Sequence, residues 1–184
     1  MFKPSTKMWN PSLYQKAIKF AGEAHANQLV PGTKANYLLH LSNVAMEILL
    51  SYHTDPCFDV DLAMQVALLH DTIEDTAINR SSLLTLFGTE ITEGVEALTK
   101  DFQLPKEERM ADSLKRINLK RKEIGMVKLA DRITNLQVPP SHWPKDKIIN
   151  YLAEAKIILS TLEGKNTHLE SRLKERILDY QIYC

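Results

Sequence analysis

Apolar residues recur at three- and four-residue spacing along most of this chain, and no stretch alternates apolar with polar long enough to make a strand. Asn10-Pro11-Ser12, a capping residue followed by proline at an early helical position, opens a first helix. Leu13, Ala17, Phe20, Ala21 and Ala24 mark its apolar face, which puts His25 near its end. Pro31-Gly32 signals a turn in the loop 29–36. Ser42 is placed to cap a helix through Val44, Ala45, Ile48 and Leu49, and Pro56 and Asp59 stop and restart the chain. The pattern then predicts a short helix over 83–87 ended by Gly88, another from Thr89 through Leu98, and a charged helix over about 106–123 broken by Gly125. An amphipathic segment, 126–136, ends at Pro139-Pro140. Pro144 begins a strong helix stopped by Gly164, and Thr167-x-x-Glu170 reads as a capping box for the last one. The expectation is an all-α fold, one domain over 1–184, with eight or nine helices.

Charge and cysteine content narrow the function classes. Lys plus Arg equals Asp plus Glu, 23 each, so no global basic field favours nucleic acid. Cys57 and Cys184 give no disulfide framework, which fits a reducing compartment. Residues 1–11 carry no apolar signal region and no apolar run reaches membrane-spanning length. A cytoplasmic protein with no membrane or nucleic-acid partner is expected, its oligomeric state open.

The chemistry concentrates in Ala67-Leu68-Leu69-His70-Asp71-Thr72-Ile73-Glu74-Asp75. If residues 60–75 form one helix, His70 and Glu74 share a face and Asp71 and Asp75 share the next. The apolar lead-in draws His70 inward, and a buried acidic cluster needs a cation. His40, after Tyr37-Leu38-Leu39, and Asp131, after Val127-Lys128-Leu129-Ala130, are also polar residues in apolar settings. Taken singly, His40 reads as a core histidine and Asp131 as an ion-pair partner of Lys128 or Arg132. Taken together, His40, His70, Asp71 and Asp131 form a two-imidazole, two-carboxylate set suited to manganese, iron or zinc with open positions for water. Such a metal makes its water a nucleophile near neutral pH, and Glu74 or Asp75 is placed to orient that water or take its proton.

Tyr37-x-x-His40, His70-Asp71-x-x-Glu74-Asp75 and Val127-Lys128-Leu129-Ala130-Asp131-Arg132-x-x-Asn135-Leu136 resemble the HD-domain hydrolases of the RelA/SpoT group, most closely the small alarmone hydrolases. The resemblance covers about 14–180. It implies Mn²⁺-dependent removal of the 3′-pyrophosphate from (p)ppGpp, giving GDP or GTP and pyrophosphate. His40, His70, Asp71 and Asp131 would be the metal ligands, Glu74 and Asp75 would position and activate water, Asn135 would contact the nucleoside, and Tyr151 the nucleotide. Lys100 matches a Leu-Thr-Lys of the long enzymes and Arg109 follows a neighbouring loop; both are candidate phosphate cations, or solvated surface charges. The synthetase and regulatory regions of the long enzymes have no counterpart here, so hydrolysis alone is implied.

Two positions depart from the family pattern. After Ala24-His25-x-x-Gln28 the family has an arginine that stacks on the base, where this chain has Leu29-Val30-Pro31; Asn36 stands where a proline precedes the tyrosine. The first change opens the pocket to adenosine counterparts such as (p)ppApp, with Lys34 a partial replacement for the charge. Two alternatives remain: the same site acting on another nucleotide such as NADPH, and a non-catalytic nucleotide-binding domain, which the intact ligand set disfavours.

Overall fold

The computed structural model describes residues 9–184, which form nine α-helices and a closing 3₁₀ turn: α1 Pro11–Ala24, α2 Leu38–Thr54, α3 Val60–Leu69, α4 Thr72–Asp75, α5 Arg80–Leu98, α6 Arg109–Asn118, α7 Lys122–Asn135, α8 Lys145–Thr161, α9 Thr167–Tyr180, and Gln181–Tyr183. Among the described residues, extended pairing is confined to one bridge between Leu29 and Asn36. None of these helices is long and apolar enough to cross a membrane.

Every residue of α3 is buried. Apart from Asp61 and Gln65 the helix is apolar, and such a helix belongs at the centre; α1, α2, α5 and α7 pack around it. Helix α7 is buried from Glu123 to Ile133, and α9 closes over α7 and α2. The residues that end α3 therefore emerge inside the molecule, between α2 and α7.

Several caps fall where the sequence puts them. Asn10 Oδ1 accepts from the Ser12 amide, Asp59 Oδ1 from that of Leu62, and Gly88, at φ 80°, separates two helical segments that run on as α5. Four boundaries differ. Helix α2 starts before Ser42, because Asn36 Oδ1 accepts from the Leu38 amide and brings His40 into the first turn. The charged helix ends at Asn118, and Gly125 lies within α7. The last cap is Asn166, whose Oδ1 accepts from Leu169 N, while Glu170 reaches back to the amides of Gly164 and Asn166.

The fourth difference shapes the site. Residues 60–75 are not one helix: α3 stops at Leu69, and α4 is a single turn. The Ala67 carbonyl, which Asp71 N would use, accepts instead from His70 Nδ1 at 2.8 Å, and the Leu69 carbonyl accepts from Thr72 Oγ1 at 2.6 Å. Side chains take the acceptors that would continue the ladder. The break lets His70 and Asp71, neighbours in sequence, both turn toward one point.

Candidate metal centre

Three helices converge on that point. His40 comes from the first turn of α2, His70 and Asp71 from the α3–α4 junction, and Asp131 from the last turn-and-a-half of α7. His40 Nε2 lies 3.4 Å from His70 Nε2, 3.7 Å from Asp71 Oδ2 and 3.5 Å from Asp131 Oδ1. His70 Nε2 lies 3.0 Å from Asp71 Oδ2 and 3.7 Å from Asp131 Oδ1. His40, His70 and Asp131 each place a ligand atom within 4.8 Å of the others, and Asp71 touches both imidazoles. Ligands about 2.1 Å from one divalent ion stand roughly 3.0 Å apart at a right angle and roughly 3.4 Å apart tetrahedrally. The spacings here match a shared ion.

The imidazoles are oriented for it. The Ala67 carbonyl can only accept, so His70 Nδ1 carries the hydrogen and Nε2 presents its lone pair inward. Thr134 Oγ1 donates to the Asp131 carbonyl at 2.9 Å, so its oxygen receives His40 Nδ1–H at 3.4 Å, and His40 Nε2 is likewise bare. Two buried lone pairs facing each other across 3.4 Å call for a cation or a proton between them.

The carboxylates are braced as well. Tyr37 Oη donates to Asp71 Oδ2 at 2.5 Å. Lys128 Nζ donates to Asp131 Oδ2 at 3.0 Å, and Asn135 Nδ2 to Asp131 Oδ1 at 2.5 Å. Burial and the Asp71 carboxylate push the Tyr37 phenol well above its ordinary range, which keeps it a donor. Burial alone would raise both carboxyls, but His70 at Asp71 and Lys128 with the imidazoles at Asp131 hold them below the usual carboxylate range. Burial lowers His70, yet Asp71 and Asp131 beside it carry it up to about 10. Without a metal, the centre therefore keeps a proton.

The other candidate residues divide. Glu74 and Asp75 sit on α4, just beyond Asp71. Glu74 is engaged at both oxygens by Lys100, from the backbone amide at 2.8 Å and the ammonium at 2.6 Å, so the structure joins two residues assigned separately from sequence. Asp75 is exposed and accepts from Gln28 Nε2 at 2.9 Å. Asn135 faces Asp131. Tyr151 packs beneath the Arg132 guanidinium, 4.1 Å from its ring, and against Trp143 and Tyr180; burial pushes its phenol up to about 12. Arg109 is not joined to the cluster by any contact among the described residues: it bonds the carbonyls of Leu104 and Phe102 and stacks on Phe102. Of the two cations considered for Asp131, Lys128 is the partner, while Arg132 pairs with Glu154 at 3.2 Å.

Sequence reasoning did not single out Tyr37, Thr134 or Gln28 as functional. The signal for Tyr37 was its place three residues before His40; Thr134 and Gln28 show their value only through partners distant in sequence.

The sequence profile described as HD domain matches residues 17–158. The chain is 31% identical over 169 residues to the zebrafish (Danio rerio) guanosine-3′,5′-bis(diphosphate) 3′-pyrophosphohydrolase MESH1, covering 89% of this chain and 92% of that protein. It is 32% identical to its Xenopus tropicalis counterpart, covering 93% and 96%. A solved structure of a metazoan orthologue of SpoT that hydrolyses ppGpp superposes with a TM-score of 0.80 at 25% identity, covering 94% of this chain and 97% of that one. With a match that spans the helices holding His40, His70, Asp71 and Asp131, the chain belongs to the HD-domain family of hydrolases, alongside the MESH1 proteins.

Proposed function

We propose that this chain removes the 3′-pyrophosphate from (p)ppGpp, giving GDP or GTP and pyrophosphate, with one Mn²⁺ held by His40, His70, Asp71 and Asp131. The observation that carries this is the spacing of the four ligand atoms, 3.0–3.7 Å across the contacts that join them. The activity of the MESH1 relatives, taken from their name, supports the substrate class. We read residues 1–184 as one catalytic unit acting on a soluble nucleotide in the cytoplasm.

A divalent ion bound there supplies a polarised phosphoryl group and water acidified to near neutrality. The chain's own residues do the rest. Tyr37, Lys128, Asn135, Thr134 and the Ala67 carbonyl fix the ligand atoms, so little reorganisation is left for the reaction. We read Glu74 and Asp75 as the pair that positions and activates the attacking water. Asn135 is read as the nucleoside contact and Tyr151 as a nucleotide contact, as the family resemblance implies. Lys100 stays a candidate for the phosphate charge, its ammonium resting on Glu74. Arg109, held by its own loop, is a weaker one.

Base choice is the second reading. Leu29, where the family's stacking arginine stands, is 53% exposed. Its loop lies against the segment after Asn135, where a Cβ on Gly32 would meet Pro140 at 3.4 Å. An apolar residue at that position supports turnover of (p)ppApp alongside (p)ppGpp.

The test is product analysis with purified, manganese-loaded protein offered ppGpp, ppApp and NADPH separately. Pyrophosphate from ppGpp, lost in Asp71→Ala, is expected. Orthophosphate from NADPH alone, or no turnover of any substrate with metal in place, overturns the assignment.

A further inference from the structure

A chain of hydrogen bonds runs from the end of α1 to Asp75. His25, 1% exposed, meets Gln28 Oε1 through Nδ1 at 2.6 Å, and Gln28 Nε2 donates to Asp75 Oδ2 at 2.9 Å. The Gln28 amide has its nitrogen on a carboxylate, so its oxygen faces His25, and His25 Nδ1 must be the donor. His25 Nε2 is buried and meets no protein partner among the described residues. The ring has thus been placed for its Nδ1 and its face rather than for Nε2. That face stacks on Tyr37, with centroids 5.0 Å apart and planes 27° apart, and Tyr37 Oη holds Asp71. The following loop locks the arrangement: the Asn36 side-chain Nδ2 donates to the carbonyls of His25 and Ala26, and Tyr37 N donates to the Gln28 carbonyl. One residue at the α1 terminus therefore braces the partners of both Asp71 and Asp75.

The two acids of α4 are not equivalent. Glu74 accepts a hydrogen bond from Lys100 at each oxygen, one of them from the ammonium, so a proton delivered there would have to compete with a charged partner. Asp75, an exposed residue, has one oxygen fixed by Gln28 and the other, Oδ1, without a hydrogen bond among the described residues.

We infer that His25 and Gln28 are positioning residues that hold the Asp75 carboxylate in place, and that Asp75 rather than Glu74 receives the proton of the attacking water. The inference rests on the hydrolytic reading above. In the step, the water oxygen bonds to the phosphorus nearest the ribose and one of its protons passes to Asp75 Oδ1. The bond from that phosphorus to the ribose oxygen breaks, and the departing oxygen, leaving with the bonding pair, takes the proton back. Glu74, tied to Lys100, keeps that ammonium at the edge of the cluster.

The experiment is a double-mutant cycle on the manganese-loaded full chain with ppGpp, or with whichever nucleoside 3′-pyrophosphate the wild type hydrolyses. Gln28→Leu should lower kcat roughly tenfold, a fraction of the 10²–10⁴ that a placed acid–base group supplies, with KM and bound manganese unchanged. In an Asp75→Asn background the same change should cost nothing further, because its target is gone. His25→Asn, whose amide nitrogen falls where Nδ1 was, should retain kcat better than His25→Gln, whose nitrogen falls where Nε2 was. A Gln28→Leu effect that persists undiminished in the Asp75→Asn background, or His25→Gln equal to His25→Asn, overturns the positioning role. So does wild-type kcat in Gln28→Leu. Wild-type protein inert on every nucleoside 3′-pyrophosphate overturns the hydrolytic reading itself, before any variant is compared.

Discussion

Tyr37 and Asp71 are joined by a 2.5 Å hydrogen bond from phenol to carboxylate, on the same Oδ2 that lies 3.0 Å from His70 Nε2. The oxygen offered to a metal is thus aimed by the residue that precedes α2, and burial together with the Asp71 carboxylate keeps that phenol protonated. Tyr37→Phe keeps the ring that stacks on His25 and deletes only the donor. Losing such a partner costs about 10- to 100-fold in metal affinity. Manganese titration calorimetry on Tyr37→Phe should show a weaker site of unchanged stoichiometry; wild-type affinity would mean that Asp71 needs no aiming.

The parts of the site that could be read in the sequence are those whose meaning is local or written in the surrounding polarity. His70 and Asp71 follow an apolar run, and His40 and Asp131 are polar residues on apolar faces, so burial alone marked them. The break between them was invisible for a physical reason. Periodicity sees which residues face inward, not that His70 Nδ1 and Thr72 Oγ1 would take the Ala67 and Leu69 carbonyls and stop the helix. The early start of α2 was hidden in the same way, since Asn36 read as a departure from a family pattern and not as a cap. Lys100 and Glu74, 26 positions apart, could be paired only by the fold.

Gly94 and Gly125 are both helix-interior glycines, and the structure separates them. A Cβ on Gly94 would stand 2.6 Å from Ile124 Cδ1 and 3.3 Å from Val66 Cγ2, where α5 meets α7 and α3. Gly94→Ala should cost about 1–3 kcal/mol through overpacking. At Gly125 the nearest atoms belong to the flexible Lys165 side chain, the closest at 3.0 Å. Gly125→Ala should be neutral or gain up to about 1 kcal/mol as the helix loses its glycine entropy penalty. Urea unfolding of both variants checks the contrast, and equal destabilisation would contradict it.

Glu47 lies almost wholly buried on α2, 3% exposed, and its carboxylate is clasped by Arg172 of α9 at 2.7 and 3.3 Å. Removing one partner of a buried pair leaves an uncompensated charge, which costs about 3–5 kcal/mol. Arg172→Met strands the buried Glu47 carboxylate and should cost the more, whereas Glu47→Gln leaves the partly exposed Arg172, which water can solvate, and should fall at or below the lower end. Glu47→Gln combined with Arg172→Met should recover part of the loss, because no charge is then stranded. Denaturant midpoints for the two single variants and the double variant decide it; a double variant as unstable as the sum of the singles would show that the pair is not coupled.

Metal binding should be coupled to protons with a definite sign. In the metal-free protein burial lowers His70, but Asp71 and Asp131 carry it from 6.5 up to about 10. A raised folded-state value means that the imidazolium contributes stability fully present below about 6.5, lost as pH rises through about 10. A metal needs the bare Nε2, so it competes with that same proton, and binding at pH 7 must release it. Manganese should therefore bind more tightly as pH rises from about 6.5 toward 10, while the metal-free protein loses stability over the same interval. Because a ligand stabilises by RT ln(1 + [L]/Kd), the manganese-induced rise in Tm should grow with pH at fixed ion concentration, and EDTA should abolish it. Thermal melts with and without manganese at pH 6.5 and 8.5 check this. A rise of the same size at both values would mean that the centre holds no proton for the metal to displace.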